Sequence, residues 1–195
     1  RRSHFWPREV YPWTLDMLTM NMTGRLIAIS TALTICSSVF HQAVCQADDA
    51  SISDFTLANH RGTEWSMSDV ADSKLVVVAF LGTECPLAKL YGPRLAELQT
   101  EYEGKGVAFV GINSNTQDSM TEITAYVTRH KIPFPMLKDV GNRVADQFAA
   151  ERTPEVFLLD ENRHVRYRGR IDDQYLVGLA RDKVRRQDLA LAIDE

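Results

Sequence analysis

Thr83–Glu84–Cys85–Pro86 is the run in this chain whose residue types could do chemistry. A thiol reacts as its thiolate, and the free backbone N–H groups and positive dipole end of a helix N-terminus favour that form. The neighbouring residues put Cys85 at such a point. Leu75 to Phe80 (LVVVAF) is a six-residue apolar run, too short to cross a membrane and rich in β-branched residues. It reads as a strand buried on both faces. Gly82 and Thr83 end it, and Pro86 suits the first turn of a helix, where its missing N–H costs nothing. Leu87, Leu90, Tyr91, Leu95, Leu98 and Tyr102 then recur at three- and four-residue steps, one face of a helix. Glu84 opposes a thiolate beside it; Lys89, one turn on, offsets that charge if its side chain folds back.

The remaining elements fix where this turn sits. Ser51 to His60 contains a short strand, Arg61–Gly62–Thr63 a turn, and Trp65 to Val70 a connector capped by Ser66 or Ser68. Gly92–Pro93 should kink the long helix, and Glu103 to Gly106 stops it. Val107 to Ile112 is a second buried strand, parallel to the first because a helix joins them. Asn113 to Gln117 is a polar loop, after which Ser119-x-x-Glu122 opens a helix through Arg129. Pro133 to Leu137 is a short strand or extended link, and a brief helix spans about 142–149. Val156 to Leu159 is a third buried strand. Val165 to Ile171 is a half-exposed antiparallel strand whose Arg166, Arg168 and Arg170 are solvated or pair with Asp172 and Asp173. Arg185 to Asp194 is a closing helix. The class is α/β with a mixed central sheet flanked by helices.

Composition narrows the function. The 195 residues are 45% hydrophobic with net charge −4, and no basic stripe exists to neutralise phosphates, which argues against nucleic-acid binding. The sequence begins at Arg1, and Met17, Met20 and Met22 are candidate starts. From Met22 a short basic region, an apolar stretch Leu26 to Phe40 and small residues at Cys45 and Ala47 read as a cleaved signal peptide. Fifteen residues with five Ser/Thr are short and polar for a membrane anchor. The expected organisation is therefore 1–47 as N-terminal extension plus signal segment (about 22–47), and 48–195 as one exported domain, periplasmic or extracellular. That domain keeps 18 basic and 24 acidic residues and one of the three cysteines, Cys85. It would meet a membrane only if the segment were uncleaved.

The strand leading into T-E-C-P, Pro93 eight residues after the cysteine, and Thr153–Pro154 before a buried strand together resemble the thioredoxin-like superfamily. The closer resemblance is to its redoxin or AhpC/TSA (peroxiredoxin-like) branch, over about Asp54 to Glu195. The resemblance implies a thioredoxin-like fold, a Thr153–Pro154 bond that is cis, and Pro154 beside Cys85. The departures carry information too. The second cysteine of C-x-x-C is Ala88 here, and the carboxylate that thioredoxins bury six residues before the cysteine is Ala79. Peroxiredoxins place their threonine three residues before the cysteine, whereas Thr83 is two before, and Arg152 is the nearest substitute for their arginine. Sco-like copper proteins share the opening, but their second cysteine falls at Lys89, and His60, His130 and His164 have no metal-ligand spacing.

The resemblance implies a thiol-dependent oxidoreductase or antioxidant with Cys85 as nucleophile and no cofactor or metal. Its substrate is a small peroxide or a protein disulfide. Without a resolving cysteine it needs an external thiol reductant, thioredoxin-like or of low molecular weight. Thr83 either donates its hydroxyl to the sulfur or peroxide, or simply ends the strand. Pro154 shapes the site. Arg152 either orients a peroxide or anionic oxygen or is a solvated surface arginine. The losses at Ala79 and Ala88 motivate a different class, a thioredoxin-fold binding or scaffold module with catalysis reduced; metal handling is the remaining alternative.

Overall fold

The structure, a computed structural model, describes residues 51–195. The expected signal segment and the boundary at 47 lie outside the described residues.

A seven-stranded mixed sheet runs in the order β2-β1-β5-β4-β3-β6-β7. Its strands are β1 (Thr56–Asn59), β2 (Glu64–Ser66), β3 (Leu75–Phe80), β4 (Val107–Asn113), β5 (Met136–Lys138), β6 (Glu155–Leu159) and β7 (Val165–Gly169). β3 and β4 pair in parallel from Leu75↔Val107 to Phe80↔Ile112, β4 and β5 are also parallel, and β6 lies antiparallel on the other edge of β3. The helices are α1 (Pro86–Tyr102), α2 (Met120–His130), α3 (Arg143–Phe148) and α4 (Asp188–Asp194).

The apolar run in β3 is explained by its central place. Val77 and Ala79 face a core built with α1, α2 and α4, including Leu95, Ile123 and Leu189. Val76, Val78 and Phe80 face a second core with Phe55, Trp65 and Phe148. Both faces are covered, so alternation has no polar partner to show. α1 runs unbroken through Pro93. Gly92 is required beside it: a Cβ there would lie 2.7 Å from the Tyr126 hydroxyl of α2, which donates to the Ala88 carbonyl at 2.7 Å.

Several expected boundaries move. The short first strand falls at Thr56–Asn59 as expected, but Glu64–Ser66 adds a strand to what was read as a connector, closed by a 3-10 turn at Met67–Val70. Ser66 is the cap, its N–H donating to Asp69 at 2.8 Å. β7 stops at Gly169 and Ile171 turns into the core. α4 starts at Asp188 rather than Arg185, because the Asp173 carboxylate takes the N–H groups of Arg185 and Arg186 at 2.8 and 3.0 Å and holds them in a loop.

The arginine row has other partners than expected. Arg166 pairs with Asp160, Arg168 with Glu155 and Arg170 with Asp188. Asp172 and Asp173 turn inward instead, buried at 1% and 7% exposure, and meet Arg94 and Arg181. Between Asp173 and Arg186 the chain makes a small hairpin, β8 (Tyr175–Leu176) and β9 (Leu179–Ala180), turning at Gly178 with φ +75°.

Candidate active site

The turn between β3 and α1 is tight. The Leu81 N–H still bonds Ile112 across the sheet, the Cys85 N–H closes on the Gly82 carbonyl at 3.3 Å, and the Cys85 carbonyl accepts the first helical bond from Lys89 at 3.0 Å. Cys85 is thus the N-cap of α1, half-buried, at the end of a buried strand. Its Sγ donates to the Thr153 carbonyl oxygen at 3.1 Å, a bond open only to the thiol form. The Thr153–Pro154 bond is cis, and the Thr153 carbonyl faces the sulfur. Lys89 does fold back, onto Glu84 at 3.1 Å, and offsets its charge.

Beside Pro154 opens a largely apolar groove of about 470 Å³, walled by Leu87 and Tyr91 of α1, Tyr167, Ile171, and Tyr175 to Val177 of the hairpin. Tyr91 fixes the hairpin wall. Its hydroxyl donates to Asp172 at 2.7 Å and accepts the Tyr175 N–H at 3.0 Å, while the two rings meet edge to face with centroids 5.5 Å apart. Burial, then the bond to Asp172, pushes the Tyr91 phenol far up.

Behind the turn lies a buried polar cluster. The Asp118 carboxylate, 2% exposed, accepts from the Asn113 amide at 2.7 Å, the Thr83 N–H at 2.9 Å and the Asn115 amide at 3.1 Å. Asn113 also donates to the Leu81 carbonyl at 3.1 Å, and Lys138 donates to Asn113 and to the Asn115 carbonyl. Burial raises the pKa of Asp118, but these hydrogen bonds outweigh it and hold the group below the usual carboxylate range.

A family model described as AhpC/TSA matches residues 49–168, more than half of the chain. The chain belongs to the AhpC/TSA family. Its fold is thioredoxin-like. Among AhpC/TSA and related sequences, the thiol-disulfide oxidoreductase ResA of Halalkalibacterium halodurans is 24% identical over 163 residues, 83% of this chain and 84% of that protein. The chloroplastic peroxiredoxin Q of Sedum lineare is 26% identical over 115 residues, 55% of this chain and 60% of that protein. A solved structure of a hypothetical protein from Sinorhizobium meliloti is 33% identical, with TM-score 0.69, covering 75% of this chain and 81% of that one.

The four residues singled out from sequence fall differently. Thr153 and Pro154 line the groove, and Cys85 adjoins it through its bond to the Thr153 carbonyl. Thr83 is buried at 5%; its N–H is spent on Asp118, and its hydroxyl faces the same carboxylate without a well-formed hydrogen bond. The Arg152 side chain is 69% exposed, with Nη2 3.8 Å from Glu155. Glu155 itself is wholly buried. Burial alone would raise its pKa, but the Glu151 N–H at 2.8 Å and Arg168 at 2.9 Å hold it down. Ala79 and Ala88 are both buried, at 1% and 0%, so neither a proton-accepting carboxylate nor a second thiol stands there.

Sequence reasoning missed Asn113, Asp118, Lys138 and the hairpin. An Asn-rich loop reads as solvent-facing by composition; the signal available was Asn113 closing a strand otherwise buried throughout its second half.

Proposed function

We propose that this chain is a thiol-dependent oxidoreductase that exchanges Cys85 with a disulfide of a polypeptide partner and is returned to the thiol by an external thiol reductant. The observation that carries it is the seating of Cys85: a half-buried helix N-cap whose sulfur touches the carbonyl of Thr153, a residue lining the apolar groove. Family membership and the likeness to a protein named thiol-disulfide oxidoreductase support it.

The chemistry balances without a cofactor. Cys85 loses its proton to solvent and gives up the bond to Thr153. The thiolate forms a bond to one substrate sulfur, the substrate S–S bond breaks, and its electron pair leaves on the other sulfur as a thiolate. A second thiol then attacks the mixed disulfide and releases Cys85 as thiolate. Pro154 and the groove walls orient the incoming chain.

A second reading replaces the disulfide with a peroxide, giving a sulfenic acid and an alcohol or water. The peroxiredoxin Q likeness favours it. Of the two groups expected to polarise the O–O bond, Thr83 is buried with its N–H on Asp118, and the Arg152 side chain is 69% exposed near Glu155, which favours exchange. Release of thionitrobenzoate from a cysteine peptide carrying it as a mixed disulfide tests the reading. Release is expected from the native chain, lost in Cys85→Ser, and within about twofold of native in Arg152→Ala. Sulfenic acid formation with hydrogen peroxide orders of magnitude faster than at a free thiolate, with no release from the peptide, would overturn it in favour of the peroxidase.

The segment at about 22–47 further supports export to the periplasm or cell exterior. Among the described residues no helix is long and apolar enough to cross a membrane. Cell fractionation with and without residues 1–47 tests export; equal partition of the two forms would count against it.

A further inference from the structure

We propose that Asp118 is the positioning residue of the Cys85 turn, setting the aim of the sulfur for exchange; this rests on the exchange reading above. The peptide groups on either side of Gly82 both end on one pair of side chains. The Leu81 carbonyl takes the Asn113 amide, and the Thr83 N–H takes Asp118, which also binds that amide. Asp118 therefore holds the turn from the sheet end, two residues before the sulfur.

The same carboxylate also places a side chain beside Gly82. It fixes Asn115, whose amide nitrogen lies against Gly82 so closely that a Cβ there would stand 2.4 Å from it and 3.3 Å from the Thr153 hydroxyl. Thr153 is the residue whose carbonyl meets Cys85 Sγ. The turn bearing the nucleophile is thus referenced to one buried anion, and Thr153, which bears the sulfur's hydrogen-bond acceptor, packs beside that turn at Gly82.

A full charge is needed there. Three N–H donors converge on a single oxygen, and charge-assisted bonds are stronger than neutral ones. An amide could keep its oxygen toward these donors, but it would lose the charge that strengthens all three bonds. Exchange is sensitive to this placement, because the attacking and leaving sulfurs must align while the substrate is held in the groove. Alkylation by a small, freely turning electrophile is far less sensitive.

The ratio of two rates on the full chain tests the proposal: thionitrobenzoate release from the activated peptide, and Cys85 alkylation by iodoacetamide at the same pH. Asp118→Asn, folded by circular dichroism, should lose about tenfold in exchange with alkylation within about twofold, and Asp118→Ala should lose more than Asn. Asn115→Ala, at the rim of the cluster, should shift the ratio in the same direction by less and keeps the test open if Asp118→Ala does not fold. An unchanged ratio in folded Asp118→Asn, even with a lowered melting temperature, overturns the inference and leaves Asp118 a purely structural acid. No release by the native chain above Cys85→Ser removes the exchange reading, and the inference with it.

Discussion

Gly82→Ala should destabilise the protein through one neighbour. Gly82 does not occupy the left-handed region, so alanine fits the backbone, and the stiffer unfolded chain alone would favour the variant by about 0.4–1 kcal/mol. Against this, the added Cβ would sit 2.4 Å from Asn115 Nδ2, where ordinary contact needs about a further 1 Å. Asn115 cannot yield freely, since that nitrogen donates to Asp118 at 3.1 Å and the displacement carries it out of hydrogen-bond range. Losing a bond to a buried carboxylate costs about 1.5–3 kcal/mol, leaving a net loss of roughly 1–2 kcal/mol. Urea unfolding of a double-mutant cycle measures this directly. In an Asn115→Ala background the clash is gone and only the 3.3 Å approach to the Thr153 hydroxyl remains, so Gly82→Ala should become nearly neutral. The same cost in both backgrounds would refute the reasoning.

Two other outcomes follow from buried polar groups. Tyr91→Phe leaves the Tyr175 N–H without its acceptor and the Asp172 carboxylate without its closest side-chain donor, which should cost about 1–3 kcal/mol in urea unfolding. It should also speed trypsin cleavage at Arg181, Lys183 or Arg185 as the hairpin loosens. Asp118 and Glu155 both titrate lower in the folded state than in the unfolded chain, because hydrogen bonds outweigh their burial. The unfolded state therefore binds more protons at acid pH, and stability rises with pH there. The urea midpoint should be flat above about pH 5 and fall as pH drops through about 4 toward the folded-state values, and Glu155→Gln should make that slope shallower.

Much of the fold was legible because local and tertiary signals agreed. β3 could be read from Val76 to Val78, since a strand covered on both faces must be apolar throughout, and α1 from its buried stripe of Tyr91, Leu95 and Leu98. The capping box at Ser119 and Glu122 stood in the sequence as it stands in space, with the Ser119 N–H 2.6 Å from the carboxylate. Several misreadings share a cause. Asp118, Asp172 and Asp173 are polar by type but buried, each collecting N–H or O–H donors that lie next to it only after folding. Composition assigns such residues to loops and solvent, and helix spacing alone started α4 three residues early. For the site, Cys85 was marked by its place between strand and helix. The engagement of Thr83 with Asp118 depends on a partner thirty-five residues away and left no local trace.

Ala88 has one more consequence. It fills, with no exposed surface, the place where an internal partner for Cys85 would stand, and Cys85 is the free cysteine among the described residues. A tethered thiol would act at an effective concentration of about millimolar whatever the surroundings held. Without one at that place, an oxidised or mixed-disulfide Cys85 waits on collision. On the exchange reading proposed above, its lifetime would be set by the abundance of free thiol outside the protein, and the fraction of chains held in the bonded state would follow that supply.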